Sequence, residues 1–441
     1  MEMILDERRE TKDEKVSGMG MYKLGDLCSD VVDCPHSTPE WKNEGIRVIR
    51  NFNIVNGSLD FSNGFFVDEE TFEKRTQRAC PEFEDLVISR EAPMGAVCMI
   101  PKNLKCCLGQ RLVLLKVNKD VADSNYILFA IQSQFVQKQI QIIDQTGSIV
   151  SNLNIPDLKS LLIPLPPLSE QKKIASVLSA LDDKIALNKK MNQKLEAMAK
   201  RLYDYWFVQY DFPDKNGHPY KTTGGPMTYN ETLKREIPVG WDVAPISEFI
   251  EKNFNGEWGK EDASEDDIRV HCVRGADIVD MVDMPVRYIS TKKKDRILNP
   301  NDIIVEISGG SPTQSTGRAT FVTRNTLNRF DSPMTCSNFC QIIRLKDAKC
   351  ASYFFEMWQK FYASDIFFNF EGKTSGIKNF QTDSFIATPW AHPPKELMYK
   401  FDEMYQSFMK KKERLIAENQ KLTALRDKLL PLLMNGQVVV H

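Results

Sequence analysis

The 441-residue sequence lacks the features that mark several large classes of protein. It has no apolar run long enough to cross a bilayer, and its charged first residues do not form a secretory signal, so we expect a cytoplasmic protein. Its ten cysteines include no C-x-x-C pair and only five histidines are present, so we expect reduced thiols and no metal site. Because the net charge is only −2, DNA binding would need locally segregated basic residues or a basic partner.

Sequence signatures of catalysis are also missing. The chain contains neither the N-P-P-[FYW] loop of an adenine methylase nor a glycine-rich cofactor turn. The glycine-rich stretch SGGSPTQSTGR, at residues 308–318, lacks the lysine of a phosphate-binding loop. The segment IPDLKSLL has no acidic partner and lysine at nuclease spacing, and no nucleophile–base pair stands out. The sequence therefore predicts a protein with no catalytic residues and no cofactor of its own.

The main positive feature is an internal repeat. It is carried by four pairs of segments: PP at 166–167 and 393–394, NQKL at 192–195 and 419–422, VIRNFNI at 48–54 and CVRGADI at 272–278, and SNLN at 151–154 and KNFQ at 378–381. Three of these pairs share one offset of 227 residues, whereas VIRNFNI and CVRGADI are 224 residues apart. The chain is also too long for one ordinary domain, so we predict two similar halves, each a variable globular domain followed by a more constant helix.

Each half ends in a long amphipathic helix. Apolar and seam residues step by three and four at Ile174, Leu178, Leu181, Ile185, Asn188, Met191, Leu195, Met198, Leu202 and Tyr205, and at Phe401, Tyr405, Phe408, Leu415, Asn419, Leu422, Leu425, Leu429 and Leu432. This spacing predicts a coiled-coil seam, with irregularities at Asn188 and Lys412, and Ser169 is expected to cap the first helix after Pro167. A lone helix of roughly 58 Å would be poorly stable. We therefore expect the helices to pair antiparallel and to hold the two domains apart; two ordinary helices in one large core are the alternative.

Short β-rich runs alternate with turn signals inside each half. DLVISR, GAVCMI and RLVLLKV in the first half, and DIIVEIS, RATFVT and FCQIIRL in the second, predict strands. NYILFAIQSQFVQKQI and SYFFEMWQKFYASDIFF predict one amphipathic helix per half. The predicted fold class is α+β, with two tandem mixed α/β domains separated by two long helices that form an antiparallel intramolecular coiled coil.

Two long segments resemble one known family. GSIVSNLNIPDLKSLLIPLPPLSEQKKIASVLSALDDKI resembles the end of a target-recognition domain and the first conserved helix of type I restriction–modification specificity subunits. WFVQYDFPDKNGHPYKTTGGPMTYNETLKREIPVGWDV is similar to that family's linker into its second recognition domain. The entry into the second helix departs from the family pattern at Trp390, Ala391 and His392, which leaves the start of that helix open. The resemblance divides the chain into a flexible tail at 1–20, recognition domain 1 at 21–167, helix 1 at 168–210, a linker at 211–236, recognition domain 2 at 237–394, helix 2 at 395–436 and a tail at 437–441.

The resemblance also implies a function and partners. Each recognition domain is expected to read one half of a bipartite target in double-stranded DNA. The paired helices are expected to set the spacer and to dock two methyltransferase subunits, through which restriction motor subunits attach. S-adenosylmethionine, ATP and Mg, together with adenine N6 methylation and ATP-dependent cleavage, are then expected in the partner subunits and not in this non-catalytic chain.

Candidate DNA contacts are polar or basic residues in predicted loops, because forked and amide side chains suit base edges and lysines suit phosphates. Gln314 and Arg318 are the lead candidates for base contacts. The candidates in the first half are His36, Ser37, Thr38, Arg50, Ser89, Arg90, Gly95, Gln110 and Arg111, and those in the second are Arg274, Lys292, Lys293, Lys294, Ser308, Gly309, Thr313, Gln314, Arg318, Asn338, Lys373, Thr374 and Lys378. Structural alternatives stay open: a proline-fixed turn at 35–39, domain-stabilising salt bridges at Arg50 and Arg274, and a merely solvated lysine run.

Two other functions stay open. A coiled-coil scaffold whose globular domains bind proteins would show no preference for a bipartite DNA target. An orphan or decoy subunit would still bind DNA but would lack methyltransferase partners. The target bases and the spacer length do not follow from the sequence.

Overall fold

The computed structural model describes residues 19–62, 64–146, 152–279, 281–309, 314–374, 377–438 and 440, without the side chains of residues 146, 373, 374 and 377. It divides into a first unit, Met1–Leu187 with Glu418–His441, and a second unit, Asn188–Ala417. Each long helix contributes one part to each unit. Of the predicted N-terminal tail, residues 1–18 lie outside the described residues.

The first unit combines short strands with helices. Its strands are β1 (Gly20–Lys23), β2 (Cys28–Asp33), β3 (Ile46–Ile49), β4 (Ile54–Val55), β5 (Ser58–Leu59), β6 (Phe66–Val67), β7 (Leu86–Ser89), β8 (Val97–Met99), β9 (Cys106–Leu108), β10 (Leu112–Val117) and β11 (Leu162–Leu165). Its helices are α1 (Glu69–Thr76), α2 (Ser124–Gln132), α3 (Gln134–Thr146), α4 (Ile155–Ser160) and the first part of α5 (Leu168–Tyr203).

The second unit has a matching series of elements. Its strands are β12 (Met227–Asn230), β13 (Arg235–Pro238), β14 (Asp242–Pro245), β15 (Ile250–Asn255), β16 (Asp267–Val273), β17 (Val286–Ser290), β18 (Ile303–Glu306), β19 (Ser308–Gly309), β20 (Ala319–Phe321), β21 (Met334–Cys336), β22 (Cys340–Leu345), β23 (Glu371–Thr374), β24 (Ile377–Phe380) and β25 (Pro389–His392). Its helices are α6 (Arg324–Asn328), α7 (Ala351–Ala363), α8 (Thr382–Ile386) and the first part of α9 (Lys395–Met434).

The two units share one strand topology, which confirms the repeat seen in the sequence. A four-stranded antiparallel sheet has the order β2-β10-β7-β8 in the first unit and β15-β22-β18-β20 in the second. A three-stranded sheet has the order β6-β3-β9 or β17-β16-β21, and in both its second pairing is parallel. The offset of 227 also persists inside the domains, because the Tyr126 hydroxyl donates to Pro164 O at 2.7 Å and the Tyr353 hydroxyl donates to Ala391 O at 3.3 Å.

Apolar alternation explains the four-stranded sheets. Leu86, Ile88, Val113 and Leu115 face one core together with α2, whereas Val87 and Leu114, the intervening residues, face a second core. Both sides of these strands are therefore buried, so they appear in the sequence as nearly continuous apolar runs. All six predicted strands are confirmed.

Within each unit, the parts of α5 and α9 run antiparallel. In the first unit, Asp182 of α5 lies 3.2 Å from Arg426 of α9, and Lys184 of α5 lies 3.5 Å from Glu418 of α9. Later residues of α5 therefore pair with earlier residues of α9. In the second unit, Lys412 pairs with Glu196 at 2.5 Å. The ring of Tyr203, further along α5, contacts that of Phe401, which comes earlier in α9. The polar seam position at Lys412 is therefore compensated by an acid.

Three local predictions need correction. Ser169 does not cap α5, because the helix begins at Leu168 and the backbone N–H of Gln171 donates to Pro167 O. The helix predicted across residues 125–140 is broken at Ser133, whose extended backbone ends α2 and whose hydroxyl bonds Ala130 O. The one predicted across residues 352–368 ends at Ala363, and a left-handed Asp365 leads into a 3-10 turn. In each case a local side-chain or backbone preference overrides the apolar periodicity.

Among the described residues, no helix combines the length and the apolar character that crossing a membrane requires.

Candidate nucleic-acid interface

The loop after β2 carries the predicted contacts His36, Ser37 and Thr38. All three residues are exposed. Arg75, at the end of α1 and 8% exposed, donates to Ser37 O at 2.9 Å, to Pro35 O at 3.2 Å and to Leu108 O at 2.8 Å. Because Arg75 bonds only the backbone carbonyl groups of the loop, the loop side chains stay available to a ligand. Sequence reasoning missed Arg75, since nothing in EETFEKRT marks this arginine as buried.

The turn between β9 and β10 adjoins that loop. Gln110, in this turn, donates through Nε2 to His36 O. The neighbouring Arg111 is half-exposed and its Nε lies 3.0 Å from a carboxylate oxygen of Glu91. The structure therefore brings the predicted residues 36–38 and 110–111 together at one end of the first unit.

Arg90 was predicted to contact DNA, but its guanidinium group is hydrogen-bonded to other residues of the protein. Nη1 donates to both carboxylate oxygens of Asp33, at 2.8 and 2.9 Å, and Nε donates to Leu153 O at 2.9 Å. The side chain is only 11% exposed. Arg90 therefore holds the end of β2, where the loop with His36, Ser37 and Thr38 begins, and offers little surface to DNA.

Ser89 and Gly95 also need correction. Ser89 is fully buried and its hydroxyl donates to Glu91 O at 2.7 Å. Gly95 is buried with φ +82°, and a Cβ there would lie 2.9 Å from Ile140 Cδ1. Both residues shape the turn between β7 and β8, so neither can meet DNA directly.

In the second unit, the predicted base-reading residue Arg318 has protein partners. Its Nη2 donates to Gly275 O at 2.6 Å and its Nε lies 3.2 Å from Glu306 Oε2. Burial raises the pKa of Glu306, and the nearby Arg318 charge partly offsets this effect. Arg318 therefore links the β18 strand end to the turn after β16, and it is a positioning residue in this arrangement.

Arg274 is exposed but its charge is balanced. Nε and Nη2 each donate to a carboxylate oxygen of Asp277 at 2.8 Å. Burial alone would raise the pKa of Asp277, but hydrogen bonds from Arg274 lower it overall. The salt-bridge alternative considered for Arg274 thus fits the structure.

The lysine-rich segment forms an exposed 3-10 turn, Thr291–Arg296. Lys292, Lys293 and Lys294 all lie on its surface, and Lys293 Nζ is 3.4 Å from Glu257 Oε2. Their exposure leaves phosphate contact by these residues as a prediction.

Described residues at both ends of the predicted glycine-rich loop contact β24. Ser308, in β19, donates to Asn379 Oδ1 at 3.0 Å, and Gly309 pairs with Lys378. Lys378 is mostly buried, with Nζ 3.2 Å from Glu371 Oε2 and 3.5 Å from Gln314 O. Gln314 itself is exposed. Thr313 lies outside the described residues, as do the side chains of Lys373 and Thr374 in β23.

One position is equivalent in both units. Gln110 is the middle residue of the three that join β9 to β10, and Asn338 is the middle residue of the three that join β21 to β22. Asn338 is exposed and Gln110 is partly exposed. An amide side chain, a type that can contact an adenine edge, therefore occupies the equivalent turn in both units.

The chain is similar to known proteins over most of its length. Residues 17–197 match the family model of the type I restriction modification DNA specificity domain. The type I restriction enzyme MjaIX specificity subunit of Methanocaldococcus jannaschii is 27% identical over 388 residues, which cover 85% of this chain and 82% of that protein. The HindI specificity subunit of Haemophilus influenzae is 21% identical over 378 residues, covering 74% of this chain and 80% of that protein. Residues 17–197 thus carry a type I restriction–modification DNA specificity domain, and the chain resembles specificity subunits of that type over most of its length.

A solved structure supports the fold of this chain. The crystal structure of the type I restriction–modification S subunit from M. genitalium has a TM-score of 0.54 and 17% sequence identity, and the alignment covers 96% of this chain and 97% of that chain. The predicted fold class, with two mixed α/β domains and long helices, is thereby confirmed.

Proposed function

We propose that this specificity subunit selects a bipartite DNA target and that each unit reads one half of it. The observation that carries this proposal is the repeated topology, in which both units have loops at equivalent strand ends. An amide side chain occupies the equivalent turn in each unit, at Gln110 and at Asn338. Two similar readers with different loop side chains suit two different half-sites.

The long helices have a separate role in this proposal. They set the spacing between the two half-sites and dock two methyltransferase subunits, and restriction motor subunits join through these. The polar faces of α5 and α9, rich in lysine and glutamate, suit such docking. Adenine methylation, ATP-dependent cleavage and their cofactors S-adenosylmethionine, ATP and Mg then belong to the partner subunits, and we place the assembly in the cytoplasm.

The test combines methylome sequencing with a pair of matched variants. Cells that express the chain with its methyltransferase should carry a split motif with one modified adenine in each part. Gln110→Ala should relax one half-site only and Asn338→Ala the other only, each by about 1–3 kcal/mol of discrimination, because one amide–base contact is lost. The absence of any split motif, or equal relaxation of both parts by either variant, would refute the proposal.

A further inference from the structure

Two arginines of the first unit lie among aromatic rings, on and just after β3. We call Trp41, Arg47, Arg50, Phe52, Phe61 and Phe65 the arginine–aromatic patch. The Arg47 guanidinium is 4.7 Å from the Phe61 ring centre, and that of Arg50 is 4.9 Å from Phe52 and 4.7 Å from Phe65. Phe52 and Phe61 are about 40% exposed, so the patch is open to solvent.

Among the described residues, the positive charges of this patch have no acidic partner. Within the described residues, neither guanidinium lies within the 4.0 Å of a carboxylate oxygen that defines an ion pair. Nη1 of Arg47 is buried and has no hydrogen-bond acceptor among these residues. An aromatic face attracts a cation but accepts no in-plane hydrogen bond, so the N–H groups of both arginines retain donor capacity.

The second unit shows that the fold does not require this arrangement. The parallel pairing of β3 with β9 and of β16 with β21 makes Arg47 equivalent to His271, and Arg50 equivalent to Arg274. His271 lies 2.9 Å from Asp331, and Arg274 bonds Asp277 twice. In the part of the chain that the structure describes, the same two positions are therefore bonded to acids in one unit and lack acidic partners in the other.

The patch is continuous with the candidate recognition loops. A Cβ at Gly109 would lie 3.0 Å from Arg50 Cγ, so the stem of this arginine packs on the turn that carries Gln110. Gln110 in turn donates to His36 O. Asn51, next to Arg50, donates to Ala92 O at 2.7 Å in the turn between β7 and β8.

We propose that the arginine–aromatic patch binds the DNA backbone at the half-site that the first unit contacts. The solvent-accessible guanidinium N–H groups of Arg47 and Arg50 donate to phosphate oxygens, while the rings hold both side chains in place and Phe52 covers the adjoining sugar. This inference rests on the proposed function in that its ligand is DNA. It adds that phosphate binding is unequal, because the equivalent residues of the second unit, His271 and Arg274, are already bonded to Asp331 and Asp277.

The experiment measures how DNA affinity depends on salt. The probe is a mixed-sequence DNA duplex, and the protein is the full chain purified with its co-expressed methyltransferase. Each phosphate contact contributes about 0.9 to the slope of log affinity against log salt concentration. Arg50→Gln should therefore lower the slope by about 0.9 and the Arg47→Gln/Arg50→Gln double variant by about 1.8. Arg274→Gln changes the net charge equally and should leave the slope unchanged.

Two controls separate DNA binding from other roles of the patch: the variant Arg50→Lys, and a measurement of whether the methyltransferase stays in the purified complex. Arg50→Lys retains the charge, so it should keep the wild-type slope, and unchanged thermal unfolding of each variant excludes loss of the fold. An unchanged slope in the double variant overturns the proposal. Loss of the methyltransferase from the purified complex with an unchanged slope also overturns it, because the patch would then be a protein-docking surface. A wild-type complex without a split methylation motif would instead refute the proposed function, since the salt dependence is measured on DNA of mixed sequence.

Discussion

The first and second units share strand order and pairing but differ in how they balance charge. At equivalent positions of the three-stranded sheet, the first unit sets Arg47 and Arg50 against aromatic rings, whereas the second bonds His271 and Arg274 to Asp331 and Asp277. The cores beneath are apolar in both units. Apolar patterning therefore specifies the topology, and the charged residues at the equivalent strand ends are free to differ between the units.

A second difference lies inside the domains. Phe129 of α2 and Glu356 of α7 are separated by the repeat offset, and they occupy the same place on the helix that packs against the four-stranded sheet. Phe129 is 2% exposed and Glu356 is 8% exposed. A buried acid thus replaces a buried ring, so the two units should respond differently to pH.

The largest effect is expected for Arg75, the buried arginine that holds the loop after β2 in the first unit. Arg75→Ala removes bonds to Pro35 O, Ser37 O and Leu108 O and leaves these acceptors unpaired, so we expect a loss of about 4 kcal/mol in the free energy of unfolding of this unit. Hydrogen exchange of β10 amides measures this loss.

A matched variant in the second unit sharpens that comparison. Arg296 also donates to a carbonyl at the end of the first sheet strand, Asn255 O at 2.6 Å, but it makes one such bond and is 23% exposed. Arg296→Ala should therefore cost about 1 kcal/mol, measured on β22 amides. Equal losses for the two variants would contradict the role given to Arg75.

The next effect concerns the buried acid of α7. Burial raises the pKa of Glu356 from 4.5 to about 7, and Asp204 and Glu196 add to this while Lys200 and Lys412 oppose it. The folded state binds the proton more tightly, so the stability linked to this group is fully present below about pH 4.5 and is lost as pH rises through 7. The loss amounts to about 3 kcal/mol.

Hydrogen exchange of α7 between pH 5 and 8 would detect this change, after correction for intrinsic rates. Glu356→Gln should make the exchange stability of α7 nearly independent of pH, whereas α2, with Phe129 at the equivalent position, should show no such dependence in either protein. A wild-type α7 as insensitive to pH as α2 would show that Glu356 is ionised in the folded state.

Much of the fold was predictable because it depends on local pattern. Six strands, the two long helices and the repeat follow from apolar spacing and from an offset visible in the printed sequence. The breaks at Ser133 and Ala363 were missed, because an apolar face continues across residues whose backbone leaves the helix.

The candidate site was less predictable, because its side chains are engaged by residues distant in the chain. Arg90 bonds Asp33, which lies 57 residues away in the sequence, and Arg318 bonds Gly275, which lies 43 residues away. Composition favours both arginines as DNA ligands, and only the tertiary structure reveals their protein partners. The contacts of Arg47 and Arg50 with aromatic rings could not be predicted either, because no sequence spacing places Phe61 and Phe65 beside these arginines.

The smallest effect is expected at the exposed ion-pair cluster of the second unit. Hydrogen bonds from Arg269 and His271 lower the pKa of Asp331 from 3.8 to about 2. The stability linked to this carboxylate is therefore present above about pH 4 and is lost as pH falls through 2. Because Asp331 is solvent-exposed, screening keeps the contribution small, and salt should weaken it further.

Carboxyl-carbon NMR titration measures this pKa directly, with Asp331→Asn to assign the resonance. Arg269→Gln should move the pKa of Asp331 toward its ordinary value, since the first cause of its depression is removed. Arg47→Gln in the first unit provides the control, because no carboxylate among the described residues pairs with Arg47 and no aspartate there should shift. If an aspartate of the first unit did respond, the contrast between acid-paired and ring-lined arginines would fail, and the unequal phosphate binding inferred from it would lose its basis.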